Sequence, residues 1–458
     1  MIPEQHRNRR ASGLGASLVL TALLVVVASG GGSAGLPQKR KPSGRSKATA
    51  VQPKPAPTPA PPAWPQWGGP NRNFTVEGSN VAESWPSTGP RQLWKRELGE
   101  GHSSIVIEQG RLYSMYRPVS WLSLVRRSKE EVVIALDAAT GRTVWEYRFE
   151  SPTEGLDFEH GSGPHSTPLL VGNRLFAVGS TAKFFALDKQ SGRVLWSHDL
   201  VKEYQADRMN RGYSCSPIAY QNTVVLMTGG RGHAVMAFNQ HDGSVAWMKQ
   251  DFANSYASPI LINVDGQDQL VAFMADEIAG LDPNNGELLW RHPHKTDWGL
   301  NISTPVWGEG NLLFCSSAYN NGSRVLQLNQ KGGKTSTKEL WFNNRVRVHI
   351  GTVIRVGDFV YGSSGDFGPA FLTAVDVRTG KEAWRDRSFS KATFVYANEK
   401  FVLLDEDGNL ALVKAGPSGM QVRSKVSLLK NEAWTPPTLV GSRLYLRDRK
   451  TVVALDLS

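Results

Sequence analysis

Cysteine is scarce in this chain of 458 residues, which contains only Cys215 and Cys315. The two belong to different repeats of the chain, so we expect both to be unpaired, and no spacing typical of a zinc or iron–sulfur site is present. The patterns G-x-S-x-G, H-E-x-x-H and the Walker phosphate loop are missing as well. The sequence therefore predicts no catalytic residue and no metal ligand.

Long hydrophobic runs are equally few, and the clearest extends from Leu14 to Ala28. Because Arg7, Arg9 and Arg10 precede it, residues 1–34 have the pattern of a secretory signal peptide. The run is short for a membrane span, and an uncleaved N-terminal anchor is the alternative. No cysteine follows the run closely, which excludes lipid attachment of the bacterial lipoprotein kind. We expect an exported protein of the periplasm or cell envelope, held near the membrane if the segment is not cleaved.

An excess of positive charge is confined to the N-terminal part of the chain. Residues 1–63 hold nine of the 52 Lys and Arg residues and one of the 41 Asp and Glu residues. The rest of the chain therefore has 43 basic and 40 acidic residues, a net charge of +3, and we expect no nucleic-acid partner. Residues 35–63 are rich in Pro, Lys and Ala, which predicts a disordered linker. Residues 64–458 remain as the predicted folded domain.

Four stretches of the chain repeat one pattern: VIALDAATGRTVW, FFALDKQSGRVLW, IAGLDPNNGELLW and LTAVDVRTGKEAW. Each begins with a short apolar run ending in Asp, has a Gly four residues later and ends in Trp. The apolar runs favour β-strands, whereas Asp and Gly favour a tight turn. Each copy is therefore predicted to be a hairpin with the Trp on its second strand.

The tryptophans of this series recur at steps of 43 or 51 residues. A repeat of this length with four strands per unit is typical of a β-propeller. We label the strands of one unit A to D, so that Ser/Thr-Pro begins strand A and the Trp lies on strand D. The large rings are expected to fill the space between neighbouring sheets. These structural residues are Trp94, Trp145, Trp196, Trp247, Trp290, Trp341 and Trp384.

The two ends of the repeat series complete each other. QLWKREL has the Trp without a hairpin before it, and TVVALDLS has the Leu-Asp strand without a Trp after it. We predict that Gln92–Leu98 pairs beside Val452–Leu457 and closes the ring, which leaves no open sheet edge. With six Trp-bearing units and one unit at Lys391–Leu428 that lacks the Trp, the prediction is an all-β, eight-bladed β-propeller that forms a monomeric disc.

In a propeller the D–A and B–C loops meet on one face, here called the top face, around the mouth of the central channel. The aligned starts of strand A bring to this mouth His102, His165, Ser214 and Tyr256, with His349 and Asn301 one residue earlier. Three interpretations are open: a polar rim bonded to its own backbone and water, a pocket for a ligand or partner, and a His-based metal site. Two imidazoles without a third ligand nearby do not make a metal site.

The B–C loop of the first unit, YRPVSWLSLVRRSKEE, mixes apolar and basic residues. It is predicted to be either a docking loop for a protein or membrane surface or a lid over its own disc. Aromatic and Arg residues dominate binding hot spots. The predicted binding residues of the top face are His102, Trp121, His165, Arg211, Tyr213, Tyr256, Trp298, Asn301, Arg347, His349 and Trp434.

The stretches WPQWGGPNRNF, WPSTGPRQLW, GSGPHSTPLLVGNRLFAVG and WTPPTLVGSRLYLRD resemble the secreted bacterial propellers built from pyrroloquinoline-quinone-type repeats. The resemblance extends from Trp64 to the C-terminus. That family contains quinoprotein alcohol dehydrogenases and non-catalytic members such as BamB, a subunit of the outer-membrane assembly machinery. Its dehydrogenases hold the quinone between a Trp and a disulfide of adjacent cysteines, and they bind Ca²⁺ through Glu, Asn and Asp. This chain has no adjacent cysteine pair.

The resemblance implies two functions. The first is a non-catalytic scaffold of the cell envelope that uses its top-face loops to bind a protein partner and needs no cofactor. The alternative is a dehydrogenase that depends on pyrroloquinoline quinone and calcium. Calcium needs six or more oxygen ligands, and we place no such set around the channel mouth.

Overall fold

The computed structural model describes residues 63–119, 127–161 and 163–458. They belong to one compact unit, Ala60–Ser458, built from eight sheets of four or five strands. The predicted signal or anchor segment and the predicted linker, up to residue 62, lie outside the described residues. Within the described part, no helix is long and apolar enough to cross a membrane.

The helix α1 is Leu200–Tyr204. The strands are β1 (Thr75–Val76), β2 (Arg91–Glu97), β3 (Val106–Glu108), β4 (Arg111–Tyr116), β5 (Glu130–Asp137), β6 (Thr143–Glu150), β7 (Leu169–Val171), β8 (Arg174–Val178), β9 (Lys183–Asp188), β10 (Val194–Asp199), β11 (Ile218–Tyr220), β12 (Thr223–Met227), β13 (Val235–Asn239), β14 (Val245–Lys249), β15 (Ile260–Val264), β16 (Gln267–Phe273), β17 (Glu277–Leu281), β18 (Leu288–Pro293), β19 (Val306–Gly308), β20 (Leu312–Ser316), β21 (Ser323–Lys331), β22 (Lys334–Asn343), β23 (Val348–Val356), β24 (Phe359–Ser364), β25 (Phe371–Asp376), β26 (Glu382–Asp386), β27 (Ala392–Ala397), β28 (Lys400–Asp405), β29 (Asn409–Gly416), β30 (Gly419–Ser427), β31 (Thr438–Val440), β32 (Arg443–Arg447) and β33 (Thr451–Asp456).

Each sheet is one blade of a propeller. Blades 1 to 6 take four consecutive strands each, beginning with β3, and blade 7 contains β27 to β30 with β1 added beside β27. Blade 8 has the order β2-β33-β32-β31. Strand β2, which precedes blade 1 in the chain, is thus the outermost strand of the last blade, with Trp94 opposite Ala454 in an antiparallel ladder. The prediction of an eight-bladed propeller closed by its N- and C-terminal strands is confirmed.

The Ser and Thr residues at the starts of strand A join neighbouring blades around the channel. The backbone N–H of Ser104 donates to Thr167 Oγ1 (3.0 Å), that of Thr167 to Ser216 Oγ (3.1 Å) and that of Ser216 to Ser258 Oγ (3.0 Å). Each hydroxyl thus satisfies a buried backbone donor of the preceding blade, which would otherwise lack a partner. The repeated Ser/Thr-Pro pattern therefore fixes the spacing of the innermost strands.

The repeated Trp also acts between blades, through the turn of the next repeat. Trp145 Nε1 donates to the carbonyl of Lys189 (3.2 Å), the residue after the repeated Asp188. The ring covers Gly192, where an added Cβ would lie 2.5 Å from Trp145 Cε3. The same contact joins Trp94 to Gly141, Trp196 to Gly243, Trp247 to Gly286 and Trp341 to Gly380. The spacing of Asp, Gly and Trp therefore serves an inter-blade joint.

Trp290 departs from this pattern. The next blade has the long hairpin β21–β22 in place of the Asp-Gly turn, so it offers no bare glycine at this position. Trp290 Nε1 instead donates to Gln269 Oε1 of its own blade (2.7 Å). Gln269 Nε2 in turn donates to Thr335 Oγ1 on the hairpin (2.7 Å), so the side chain of Gln269 links the two blades.

The segment from Trp64 to Val76, here called the plug, runs through the central channel. Trp64 exchanges two backbone hydrogen bonds with Ile107 of blade 1, both 2.8 Å, as an antiparallel bridge. At its other end, Thr75 and Val76 pair in parallel with strand A of blade 7. Because strand A runs from the top face to the bottom face, the plug rises along blade 1, crosses the channel and descends along blade 7.

Candidate functional site

A cavity of about 160 Å³ opens on the top face at the mouth of the central channel. Its walls are formed by the first residues of the A strands and by the D–A and B–C loops, so several blades contribute to one site. Its lining includes the residues Trp67, His102, Asp157, His160, His165, Arg211, Tyr256, Leu300, Ile302, Tyr319, His349, Ile350, Trp434 and Pro436.

One wall of the cavity is a stack of nearly parallel rings. The rings of His102 and His165 are 5.6 Å apart at 12°, and those of His102 and Trp434 are 5.2 Å apart at 25°. His160 packs on the Trp434 ring at 5.4 Å, and its carbonyl lies 3.1 Å from His102 Nε2. Because a carbonyl only accepts hydrogen bonds, His102 Nε2 carries the proton and Nδ1 is an acceptor. Among the described residues, His102 Nδ1 has no hydrogen-bond partner.

Burial keeps the imidazoles of this cavity neutral. Desolvation holds the pKa of His102 well below its usual value, and the nearby His165 adds to the effect. Desolvation also lowers the pKa of His165 to about 4 and that of His349 to about 3. The pKa of Tyr319 is raised to about 12 by burial. Among the described lining residues, Arg211 and Asp157 are therefore the charged ones at neutral pH.

Two features of the cavity were not predicted from the sequence. The plug places Trp67 at the floor, where its Nε1 donates to Thr304 Oγ1 (2.9 Å) and its ring meets Phe74 edge-on. In blade 6 the strand pairing skips from Val348 to Val353. Four residues of β23 there lie opposite one residue of β24, and these four residues, including His349, line the cavity. The WPQWGG stretch was the available signal for Trp67, but only the folded plug shows where that ring lies.

Six predicted binding residues line this cavity: His102, His165, Arg211, Tyr256, His349 and Trp434. Tyr213 and Asn301 do not, because their polar atoms have buried partners elsewhere. Tyr213 Oη donates to the carbonyl of Met227 (2.8 Å). Asn301 Nδ2 donates to Met274 and Ala275 carbonyls. Both side chains are buried and serve to hold loops against the sheets.

Trp298 and Arg347 lie beside the cavity, on the top face. Trp298 is 61% exposed, and Phe367 is 76% exposed. Tyr319 contacts both rings, at 5.2 Å from Trp298 and 5.6 Å from Phe367. We call Trp298, Tyr319 and Phe367 the platform, which the sequence indicated only through Trp298. Arg347 Nη1 is paired with Asp366 Oδ2 at 3.0 Å.

Trp121 falls within residues 120–126, which lie outside the described residues. The predictions of a docking loop or of a lid for this part of the chain therefore stay predictions. Both cysteines are free and buried, in blades 3 and 5. In the part of the chain that the structure describes, no three His, Cys, Asp or Glu side chains converge as a metal site.

A family model described as outer membrane protein assembly factor BamB matches residues 129–386, more than half of the chain. BamB of Yersinia pestis is 22% identical over 361 residues, which cover 78% of this chain and 76% of that protein. The quinoprotein alcohol dehydrogenase PedH of Pseudomonas putida is 29% identical over 164 residues, but the match spans only 25% of its length.

Solved structures of both kinds share the fold. BamB of Moraxella catarrhalis aligns with a TM-score of 0.55 at 15% identity, over 80% of this chain and 97% of that one. The quinohemoprotein alcohol dehydrogenase ADHIIG of Pseudomonas putida aligns with a TM-score of 0.60 at 12% identity, over 87% and 80%. Identities this low support the fold alone. Together with the family match, these findings show that the chain belongs to the BamB-like family of pyrroloquinoline-quinone-repeat β-propellers.

Proposed function

We propose that this protein is a non-catalytic scaffold of the cell envelope that binds a protein partner through its top face. The family match supports the proposal, because the matching family model and the relative that covers 78% of this chain are both described as outer membrane protein assembly factor BamB. The exported, envelope location predicted from residues 1–34 agrees with this role. The platform supports the choice of the top face as the binding surface, since large exposed aromatics beside a cavity are typical of binding hot spots.

The cavity lining does not fit pyrroloquinoline quinone and calcium. The quinone carries three carboxylates, whereas Arg211 is the only Lys or Arg among the described lining residues. Asp157 is the only carboxylate of that lining, and calcium binds six to eight oxygens. These donor counts support a role without this cofactor, and we propose no step through it.

Cross-linking in intact envelopes tests the proposal. The native chain and a Trp298→Ser/Phe367→Ser variant would be cross-linked in cells, and the products would be identified by mass spectrometry. We expect the native chain to capture outer-membrane assembly proteins and the variant to lose most of that product. Met248→Ser/Val422→Ser is the matched control, because these residues are 47% and 39% exposed on the outermost strands.

Two results would contradict the proposal. One is an unchanged pattern of cross-links in the platform variant. The other is turnover of an alcohol, followed by dye reduction, after reconstitution with pyrroloquinoline quinone and Ca²⁺. The second result would favour the quinoprotein alternative.

A further inference from the structure

We infer that the cavity accepts one uncharged aromatic side chain of a partner's peptide segment and that the same segment continues over the platform. This inference rests on the proposed function, because it names the chemistry by which the top face would recognise its partner. The inference is based on three observations: the size of the cavity, the neutrality of its walls and its continuity with the platform.

The size and shape of the cavity suit a single ring. Its volume is about 160 Å³, and a cavity of about 150 Å³ is enough to bind benzene. The stacked rings of His165, His102 and Trp434 line one side of the cavity, and Trp67 closes the floor. Offset or edge-on contact with such rings is the arrangement that aromatic groups prefer.

The walls disfavour a charged ligand. The imidazoles that line the cavity are neutral because burial lowers the pKa of each. The guanidinium of Arg211 is already matched by Asp157 and Glu159, with its Nη2 3.4 Å from an oxygen of each. A carboxylate or an ammonium group would therefore be desolvated without a free counter-ion among the described lining residues, which costs free energy.

The wall offers no accessible polar partner at His102. Its Nδ1 lacks a hydrogen-bond partner among the described residues, but that atom is fully buried, so a ring in the cavity does not reach it. We therefore expect a phenol and an unsubstituted phenyl ring to bind with similar affinity.

The platform indicates that the ring belongs to a peptide. Tyr319 lines the cavity and also contacts Trp298 and Phe367. The exposed rings are thus continuous with the cavity mouth, and a free small molecule inside the cavity would leave them uncovered. A segment with one aromatic residue in the cavity and a second apolar residue on the platform would bury both surfaces.

Binding of model compounds to the full-length protein tests the inference. N-acetyl-tyrosinamide, N-acetyl-phenylalaninamide, N-acetyl-leucinamide and N-acetyl-glutamate amide would be titrated and followed by NMR of the His ring protons. We expect saturable binding of the tyrosine and phenylalanine compounds and no binding of the other two. We also expect nuclear Overhauser contacts from the tyrosine ring to His102 and His165 in the native protein.

Two variants locate the binding. Ile302→Trp places a ring in the cavity, and we expect it to weaken the binding affinity for the tyrosine compound by about tenfold or more. Val422→Trp on an outermost strand is the matched control and should bind as the native protein does. Phe367→Ser should leave the tyrosine compound unaffected but weaken peptides in which Tyr and Phe are one to four residues apart.

Each unfavourable outcome overturns a defined part of the inference. The aromatic site would be ruled out if the glutamate compound bound as tightly as the tyrosine compound, or if the tyrosine ring made no contacts to His102 and His165. Both results are obtained with the native protein, so they do not depend on whether Ile302→Trp folds. Equal peptide binding by the native protein and Phe367→Ser would rule out a peptide that continues over the platform. The ligand of the cavity would then be a small aromatic molecule. Partner cross-links without aromatic binding would overturn this inference alone, whereas aromatic binding without partner cross-links would overturn the proposed function.

Discussion

The indole of Trp196 lies on the bare backbone of Gly243 in the next blade. A Cβ added to Gly243 would come 2.7 Å from Trp196 Cδ2, and the φ angle of Gly243 is +78°. Trp196 Nε1 also donates to the carbonyl of Gln240 (3.2 Å) in the same turn. Close packing and a hydrogen bond thus join two blades at one point, so the turn residue and the ring depend on each other.

We expect Gly243→Ala to lower the free energy of unfolding by about 2–4 kcal/mol, because it combines backbone strain with a clash against the ring. Gly232→Ala is the control: its φ is +80°, but nothing lies within 4 Å of the added Cβ. That control should lose only about 1–2 kcal/mol from strain. Equal losses in urea unfolding would show that the contact with the ring contributes nothing.

Ring closure should stabilise the whole disc. Deleting residues 449–458 removes β33, which lies between β2 and β32 in blade 8, and it exposes sheet edges on both sides. We expect loss of the native thermal transition or a large decrease in its midpoint, measured by calorimetry. Removal of Ser458 alone, which follows β33, should leave the transition unchanged. A native-like melt of the longer deletion would contradict the role of closure.

Arg117 and Glu131 form a buried ion pair next to blade 2. Arg117 Nη2 is 2.6 Å from Glu131 Oε1, and Glu131 Oε2 accepts from the backbone N–H of Ser180 (3.0 Å). Arg117→Met should cost about 3–5 kcal/mol, because it leaves the Glu131 carboxylate buried without its cation. Adding Glu131→Gln should restore part of that loss. A double-mutant cycle by chemical denaturation measures the coupling, and strictly additive losses would contradict it.

Stability should fall as the pH decreases below neutrality. Burial lowers the pKa of His294 to about 3, with Arg324 adding to the effect, and His294 Nδ1 accepts from Arg324 Nε (3.0 Å). The unfolded chain takes up this proton near pH 6.5, whereas the folded chain stays neutral, so stability is present above pH 6.5 and is lost as the pH falls toward 3. His294 alone should contribute about 2 kcal/mol of loss between pH 7 and 5.

The variant His294→Gln isolates that contribution, since glutamine offers an acceptor and a donor but does not titrate. The free energy of unfolding, measured by urea denaturation at several pH values, should decrease less steeply for this variant between pH 7 and 5. Parallel curves for the variant and the native protein would assign the pH dependence to other groups.

The repeat determined most of the fold in advance. Asp, Gly and Trp recur at fixed spacing because each turn must receive a ring from the preceding blade, and this local periodicity is visible without coordinates. The orphan Trp94 strand and the orphan strand ending at Leu457 likewise predicted closure, since a propeller leaves neither strand unpaired. The exception at Trp290 could not be predicted, because its partner Gln269 lies in its own blade at no repeated position.

The top-face cavity depended on tertiary structure. Aligned strand starts brought His102, His165 and Tyr256 to one mouth, because position along strand A is a local property of the repeat. Contacts between distant segments decided two further points: the plug places Trp67 at the floor, and backbone carbonyls hold Asn301 inward. Such contacts join residues far apart in the chain, and the spacing of residue types along the sequence carries no information about them.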